Sequence, residues 1–189
     1  MARPETKTAL LDEAERQIRM KGVDGFSYAD LSKAIGIRKA SIHYHFPAKA
    51  DLLTETMLRY GECILAALQE LCETRELAGQ RLAGFIDLYR AALRNGDMFC
   101  LCVALSISDD GLTKDTLDVI SEFRSRTTEW LEEVFEVGKL DGSISGVGQK
   151  SAEALSVMAI VEGAQIGARF RNSPLQYDKA TQMLRDRIV

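Results

Sequence analysis

Apolar residues recur at steps of three and four along almost the entire chain, and this spacing restricts the fold more than any other feature. A clear example is the stripe of Leu10, Leu11, Ala14 and Ile18 near the N-terminus. Such a stripe lies on one face of an α-helix, whereas a half-buried strand requires alternating apolar and polar residues, which no segment shows. We therefore predict an all-α protein of about nine helices.

Breaks in this pattern give the expected helix boundaries. Ser27 stands three residues before Asp30, which resembles a capping box with Asp in place of Glu, and predicts a short helix that Gly36 ends. We also expect helices over about 5–21, 38–46, 49–72, 79–94, 97–108, 113–137, 149–171 and 175–187. Asn95-Gly96 is expected to cap the helix before it, and Asp109-Asp110-Gly111 to form a turn. The segment 138–142 is expected to end the long helix that precedes it.

Composition excludes several classes of protein. No apolar run approaches the roughly 18 residues of a membrane span. The N-terminal segment MARPETKTALLDEAERQIRM mixes acidic and basic residues and has no apolar signal core. We therefore expect a cytoplasmic protein without membrane contact. The four cysteines form no paired CxxC motif and lie far from the two histidines in sequence, so we predict reduced thiols, no metal site and no cofactor.

Charge is divided unevenly along the chain. The net charge is −4, yet residues 1–50 hold 9 Lys/Arg and 6 Asp/Glu, an excess of +3, while residues 51–189 hold 15 and 22, a balance of −7. A basic head followed by an acidic body suits a protein that contacts DNA through one end only. An excess of three charges is also within the reach of chance.

Residues 26–52, FSYADLSKAIGIRKASIHYHFPAKADL, carry the most informative motif. Two short helices separated by a turn containing Gly36 are typical of a helix-turn-helix. The second helix is dense in polar side chains that can meet phosphate or bases in a major groove. These are Lys39, Ser41, His43 and Tyr44. Ile42 and Phe46 lie four residues apart and share a face, so we expect them to anchor this helix.

This region resembles the TetR family of bacterial regulators over about residues 5–55. The resemblance is carried by Gly22, Phe26-Ser27, Leu31, Ala34, Gly36-Ile37, Ser41-Ile42, Tyr44-His45-Phe46, Lys49 and Leu52. The rest of the chain is similar only in helix count and in the Glu162-Gly163 pair. The resemblance implies a three-helix DNA-binding domain over residues 1–48 and a helical bundle for ligand binding and dimerisation over residues 49–189, with helix 4 as the only element touching both.

The resemblance also implies which residues contact DNA. The third helix would enter the major groove, and the expected contacts are Ser27, Tyr28, Arg38, Lys39, Ser41, His43, Tyr44 and Lys49. Ser27 and Tyr28 would meet backbone phosphate, Lys49 would hold phosphate at the start of helix 4, and the tail Ala2-Arg3-Pro4 would reach toward DNA. Alternatively, His43 is an ordinary surface or packing residue.

Three residues depart from the family pattern. Ser32 replaces the common Ala in the second helix. The family usually has an aromatic residue at the position of His43. Its recognition helix usually begins with Ser or Thr, whereas this chain has Arg38. Loss of such a cap costs about 1 kcal/mol, some of which a phosphate contact from Arg38 could recover.

The body is expected, by the same resemblance, to enclose a pocket for a small-molecule inducer. The predicted lining residues are Phe85, Tyr89, Phe99, Cys100, Phe123, Trp130 and Met158. The competing interpretation is that they are ordinary core, since aromatic residues at helical spacing usually just pack.

The last two helices are predicted to form a homodimer interface. The penultimate helix is rich in Ala, Gly and Ser, which allow close helix approach, and the last helix is amphipathic. The expected interface residues are Leu155, Ala159, Glu162, Gly163, Ile166 and Leu184. A two-fold protein suits a palindromic operator. The alternative is that the penultimate helix is buried within one chain.

The sequence therefore predicts a DNA-binding transcriptional regulator, by family default a repressor, that a small-molecule inducer releases from a palindromic double-stranded operator. One alternative is a redox- or electrophile-sensing regulator that uses Cys100, although a buried inert thiol is the simpler interpretation. Another is a helical interaction module that does not bind DNA. An enzyme is disfavoured because HExxH, GxSxG, phosphate-loop and dinucleotide motifs are missing from the sequence.

Overall fold

The structure is a computed structural model that describes residues 4–107 and 112–189. Its described residues form nine α-helices and no strand, apart from one isolated bridge between Ile144 and Ile188, which confirms the predicted fold class. The helices are α1 (Pro4–Lys21), α2 (Tyr28–Ile35), α3 (Lys39–His45), α4 (Lys49–Thr74), α5 (Ala78–Ala92), α6 (Leu101–Ser106), α7 (Lys114–Asp141), α8 (Lys150–Arg171) and α9 (Pro174–Arg185).

The first of two compact units consists of Met1–Glu62 and Leu101–Ser121. Helix α1 packs against α2 and α6, and α2 packs against α3. The apolar stripe of α1 is buried as predicted, with Leu10, Ala14 and Ile18 fully buried. A hydroxyl pair, Thr54 Oγ1 and Thr116 Oγ1 at 2.8 Å, ties α4 to the start of α7 within this unit.

The second compact unit consists of Cys63–Cys100 and Glu122–Val189. Helix α8 packs along α9, and both pack against α5. The core contact between α5 and α9 is reinforced by polar groups, because the buried Tyr177 hydroxyl donates to Ile86 O at 2.9 Å and Arg90 pairs with both carboxylate oxygens of Asp178 at 2.7 and 2.9 Å. Charge-assisted paired hydrogen bonds of this kind fix orientation as well as adding stability.

The predicted break at 138–142 is wrong, since α7 continues through Gly138 to Asp141. Gly138 serves close packing instead of ending the helix. A Cβ at this position would lie 2.5 Å from Ile144 Cδ1, so only glycine lets the Ile144 side chain approach. The chain turns at Gly142, whose φ of +75° is in the left-handed region that glycine tolerates.

The segment between α5 and α6 also differs from expectation. Helix α5 ends at Ala92, before the predicted cap at Asn95-Gly96, and α6 begins only at Leu101. The backbone N–H of Cys100 donates to the buried Gln165 Oε1 at 3.0 Å instead of to a helical carbonyl. A tertiary hydrogen bond from α8 therefore replaces the first turn that apolar spacing predicted.

Helix α6, which lies in the predicted domain 49–189, packs against α1 of the predicted domain 1–48, so the expectation that α4 alone touches both domains is wrong. Both α4 and α7 continue from one compact unit into the other. The domain boundary at residue 48, which the family resemblance implies, stays a prediction. The expected turn at Asp109-Asp110-Gly111 and the tail residues Ala2 and Arg3 lie outside the described residues.

Candidate nucleic-acid interface

Helix α2 begins with a complete capping box, as Ser27 and Asp30 predicted. Asp30 N donates to Ser27 Oγ at 3.4 Å, while Asp30 Oδ2 accepts from Ser27 N at 2.8 Å and from Ser27 Oγ at 2.7 Å. These hydrogen bonds, the one from the Ser27 hydroxyl foremost, lower the pKa of Asp30. The helix ends at Gly36, whose φ of +75° starts the turn into α3.

Helix α3 is anchored through one face only. Ile42 is fully buried and Phe46, just beyond the helix, is 1% exposed, which confirms their predicted anchoring role. Arg38 is the N-cap and makes no side-chain capping bond, as expected from its departure from Ser or Thr. Around this anchor the side chains of Arg38, Lys39, His43 and Tyr44 are exposed, Tyr44 to 74%, and Ser41 is half-buried.

Tyr28 connects α2 to the end of α3. Its hydroxyl donates to Phe46 O at 2.9 Å, and its ring meets the ring of His43 edge-on with centroids 4.9 Å apart. Burial, aided by the nearby Asp51 carboxylate, raises the pKa of Tyr28 to about 12. The phenol therefore stays protonated and keeps this hydrogen bond throughout the physiological pH range.

Lys49 turns its ammonium group into the head. Its Nζ donates to Val23 O at 2.6 Å and to Phe26 O at 2.9 Å, and lies 4.3 Å from the centroid of the Phe26 ring. Burial lowers the pKa of Lys49. Two of its three donors hold the connection between α1 and α2 against the start of α4, which leaves one donor for an outside group.

The structure thus divides the eight residues that the sequence predicted for DNA contact. It leaves Arg38, Lys39, His43 and Tyr44 exposed along α3 and at its N-cap, with Ser41 half-buried among them. Ser27, Tyr28 and Lys49 have their polar groups engaged in holding the head together. Sequence reasoning missed the internal roles of Tyr28 and Lys49 because their partner carbonyls lie 18 to 26 residues away along the chain.

The seven residues predicted to line a pocket all belong to the second unit, and three of them form an aromatic cluster. Phe85 stacks on Trp130 at 5.8 Å between centroids and lies 4.6 Å from Tyr89. Trp130 Nε1 donates to Cys72 Sγ at 3.1 Å. Of the seven, Phe99 and Trp130 are half-buried, while Phe85, Tyr89, Cys100, Phe123 and Met158 are buried.

Gln165 is a central polar residue that the sequence analysis did not identify. It is fully buried on α8, accepts from Cys100 N and donates through Nε2 to Tyr89 O at 2.7 Å. Its amide stands in the middle of a helix of small and apolar residues, and this was the one local sign in the sequence that Gln165 has a buried polar role. Its two backbone partners, 65 and 76 residues away, could not be inferred from local spacing.

A cleft of about 630 Å³ opens within the first unit. Four of its nine lining residues are carboxylates, Asp51, Glu55, Glu62 and Asp115, and none of the seven predicted pocket residues lines it. Its acidic lining does not suit the apolar ligand expected from the sequence.

Helix α8 has an exposed apolar face with glycines between its larger side chains. Leu155, Ile166 and Phe170 are 61%, 46% and 84% exposed. Gly163 and Gly167 on this helix have open space where a Cβ would stand. Among the other predicted interface residues, Ala159 is exposed, Glu162 pairs with Arg124 at 2.7 and 3.0 Å, and Leu184 is buried within its own chain, so Leu184 is not part of this face.

The cysteines differ in accessibility. Cys100 and Cys102 are 2% and 1% exposed, Cys72 is half-buried and Cys63 is exposed, and these four form no disulfide with one another. Within residues 4–107 and 112–189, no group of three or more His, Cys, Asp or Glu side chains is arranged to hold a metal ion. Over the same residues, no helix has the length and apolar character of a membrane span.

Comparison with known proteins places this site in a family. The family model described as bacterial regulatory proteins, tetR family, matches residues 10–56. The HTH-type transcriptional regulator AcrR of Shigella flexneri is 37% identical over 51 residues, 27% of this chain and 24% of AcrR. IcaR of Staphylococcus aureus, the HTH-type negative transcriptional regulator of the biofilm operon icaADBC, is 33% identical over 51 residues, 27% of each chain.

These matches span about a quarter of the length of the curated relatives, whereas structural similarity extends over the whole chain. A TetR-family transcriptional regulator from Agrobacterium tumefaciens superposes with a TM-score of 0.92 and 29% identity, covering 99% of this chain and 100% of that one. Fold and site together define a helix-turn-helix transcriptional regulator. Residues 10–56 carry the DNA-binding region of the TetR family of bacterial regulators, and the whole chain is similar in fold to a regulator of that family.

Proposed function

We propose that the protein binds a palindromic double-stranded DNA operator as a homodimer, represses transcription from it and is released by a small-molecule inducer. As a regulator of a bacterial chromosome, and not an enzyme, it would act in the cytoplasm. Repression is supported by the similarity of its head to IcaR, a negative regulator.

The observation that carries the DNA-binding proposal is the two-sided character of α3. Its buried side is fixed by Ile42 and Phe46, while cationic and hydrogen-bonding side chains occupy its exposed side. A helix presented in this way can enter a major groove, where Arg38 and Lys39 meet phosphate or guanine and Tyr44 contacts the backbone or bases.

Selection of bound fragments from the genome of the source organism tests this proposal directly. The expected product is a set of fragments that share a two-fold motif. The variant with both Arg38→Ala and Lys39→Ala should retain far less DNA at low salt, because each lost phosphate contact reduces the release of counterions on binding. Each lost contact also lowers the slope of log affinity against log salt by about one unit. If the parent protein retains no duplex at low salt, the chain is a helical interaction module and the proposal is wrong.

Inducer binding is proposed for the aromatic cluster of Phe85, Tyr89 and Trp130. Trp130 is the single tryptophan of the chain, so its fluorescence reports binding of an apolar ligand to the cluster. Because Trp130→Phe keeps a ring for stacking on Phe85 but removes the N–H, it should leave DNA binding unchanged and alter inducer affinity. If no ligand from an apolar library changes both Trp130 fluorescence and operator affinity, the body is a dimerisation scaffold.

Helices α4 and α7 are proposed to carry the signal, since each is covalently continuous between the two compact units. A ligand that binds the DNA-incompetent state better shifts the population toward it. Coupling of about 1–3 kcal/mol lowers operator affinity about 5- to 150-fold. The expected measurement is operator affinity with and without saturating ligand.

A further inference from the structure

The imidazole of His43 is held by two neighbours even though its side chain is exposed. Its Nδ1 lies 3.4 Å from Pro47 O, and its ring packs edge-on against Tyr28. Tyr28 is itself fixed by the hydrogen bond from its hydroxyl to Phe46 O. Flipping the His43 ring would break the contact with Pro47, so the structure favours one orientation of the ring.

This orientation favours the neutral tautomer of His43 that carries its proton on Nδ1. A carbonyl oxygen can only accept, so the contact with Pro47 O is a hydrogen bond only when Nδ1 bears the hydrogen. Nε2 then has a lone pair and no hydrogen. Within the part of the chain that the structure describes, Nε2 of His43 has no hydrogen-bond partner of its own. Helix α3 therefore presents a pure acceptor at this position.

We propose that Nε2 of His43 accepts a hydrogen bond from the exocyclic amino group of adenine or cytosine and so selects an amino-bearing base at one position of each operator half-site. The inference rests on the proposed DNA binding. In the major groove, only adenine N6 and cytosine N4 offer donors, whereas guanine and thymine present acceptor atoms and the thymine methyl group. A lone pair facing another acceptor would be repelled.

The expected loss of operator affinity is that of one hydrogen bond per half-site. Replacing the amino-bearing base should weaken binding about 10-fold for one half-site. In a two-fold complex the replacement occurs twice, which amounts to about 100-fold for the whole operator. A tyrosine or phenylalanine at this position would not discriminate in this way. The tyrosine hydroxyl can donate as well as accept, and phenylalanine has no polar side-chain atom.

The ring state of His43 can be measured without DNA. Nitrogen-15 NMR of the two histidines in the full-length protein, at about pH 8 where free imidazole is neutral, distinguishes the protonated from the bare nitrogen. The His43→Phe variant identifies which signals belong to His43. Protonation at Nδ1 is the expected result. Protonation at Nε2 would overturn the inference, whether or not the protein binds DNA.

Base preference is tested by selection from a randomised duplex pool with three proteins. The parent should select adenine or cytosine at one position of each half-site. His43→Phe, which keeps a ring against Tyr28, should lose preference at that position only. Lys39→Ala, one helical turn earlier, is the matched control and should bind more weakly with that preference intact.

Base analogues then isolate the amino group in the selected operator. Replacing the adenine by purine, or the cytosine by 2-pyrimidinone, removes only the exocyclic amine. Affinity of the parent should fall about 10-fold per half-site, while affinity of His43→Phe should not change. If the parent binds DNA but has the same base preference as His43→Phe, the inference about His43 is wrong and the proposed DNA binding still stands. Retention of no DNA by the parent contradicts the proposed function as well.

Discussion

Ser27, Tyr28 and Lys49 are polar residues whose side chains hold the DNA-binding head together from within. Each occupies a position where resemblance to the family implies a contact with phosphate. In the structure, Ser27 closes a capping box, Tyr28 bonds to the carbonyl that follows α3, and Lys49 bonds to two carbonyls of the connection before α2. Any effect of Lys49 on DNA affinity therefore includes its effect on the shape of the head.

Variants of Lys49 and Lys39 should separate a role in stabilising the head from a role in binding phosphate. Lys49→Met keeps the aliphatic stem but leaves Val23 O and Phe26 O without their donor, which should destabilise the protein by about 1–3 kcal/mol. Lys39→Ala removes an exposed cation and should change stability by less than about 0.5 kcal/mol, while it reduces the slope of log affinity against log salt by about one for each subunit, about two for the dimer. Urea unfolding and salt titrations give both quantities. Unchanged stability in Lys49→Met would show that Lys49 acts only on phosphate.

The accessibility of the four thiols bears on the alternative in which Cys100 senses electrophiles. Because thiol modification requires access, a maleimide reagent should label Cys63 first in the native protein and reach Cys100 and Cys102 only on unfolding. Mass spectrometry after timed labelling checks this order. Cys63→Ser should remove the fast phase. Rapid native labelling of Cys100, with operator release lost in Cys100→Ser, would favour the sensing alternative.

Beyond single side chains, the end of the chain is tied back to α8 by an ion pair. Arg187 donates to Glu153 at 2.7 and 2.9 Å, lies over the Phe135 ring and also donates to backbone carbonyls at Ser145 and Gly146. The hydrogen bonds from Arg187 lower the pKa of Glu153. Since both side chains are mostly buried, this pair should stabilise more than the exposed pair of Lys150 with Glu136.

Glu153→Gln should therefore lower the free energy of unfolding by about 1–2 kcal/mol at neutral pH. The folded-state pKa of Glu153 is lowered, so the stabilisation is complete above the ordinary glutamate value of about 4.3 and is lost as pH falls through the folded value. The difference between parent and variant should shrink in acid. Glu136→Gln is the control and should cost about 0–1 kcal/mol. A difference that does not depend on pH would contradict this assignment.

For the molecule as a whole, the exposed apolar face of α8 is the surface best suited to a second copy of the chain. Leu155, Ile166 and Phe170 remain open to solvent, and Gly163 and Gly167 leave room for a close helix approach. Burying such a face stabilises an interface by roughly 25 cal/mol for each Å² of apolar area. A dimer would also place two α3 helices on one operator, as a two-fold site requires.

Gly163→Arg should convert the dimer to a monomer without unfolding it. Among the residues that the structure describes, none lies within 4 Å of a Cβ at Gly163, so the variant should fold normally. Within a dimer, the guanidinium would be buried without a partner, which costs about 3–5 kcal/mol and weakens association more than about 100-fold. Sedimentation should show monomer and weak operator binding. Leu140→Arg, at an exposed apolar residue near the end of α7, should remain dimeric. A parent that sediments as a monomer at micromolar concentration would contradict the interface.

The local parts of this protein follow from the sequence alone. Apolar spacing predicted the helices, Ser27 and Asp30 predicted the capping box, and the two short helices around Gly36 predicted the DNA-binding motif, because each depends on residues no more than a few positions apart. Tertiary structure decided the direction of the polar side chains. Lys49 meets carbonyls 23 and 26 residues away and Gln165 meets backbone groups 65 and 76 away. Buried donors and acceptors must find partners wherever the fold brings them, and no local pattern specifies that place.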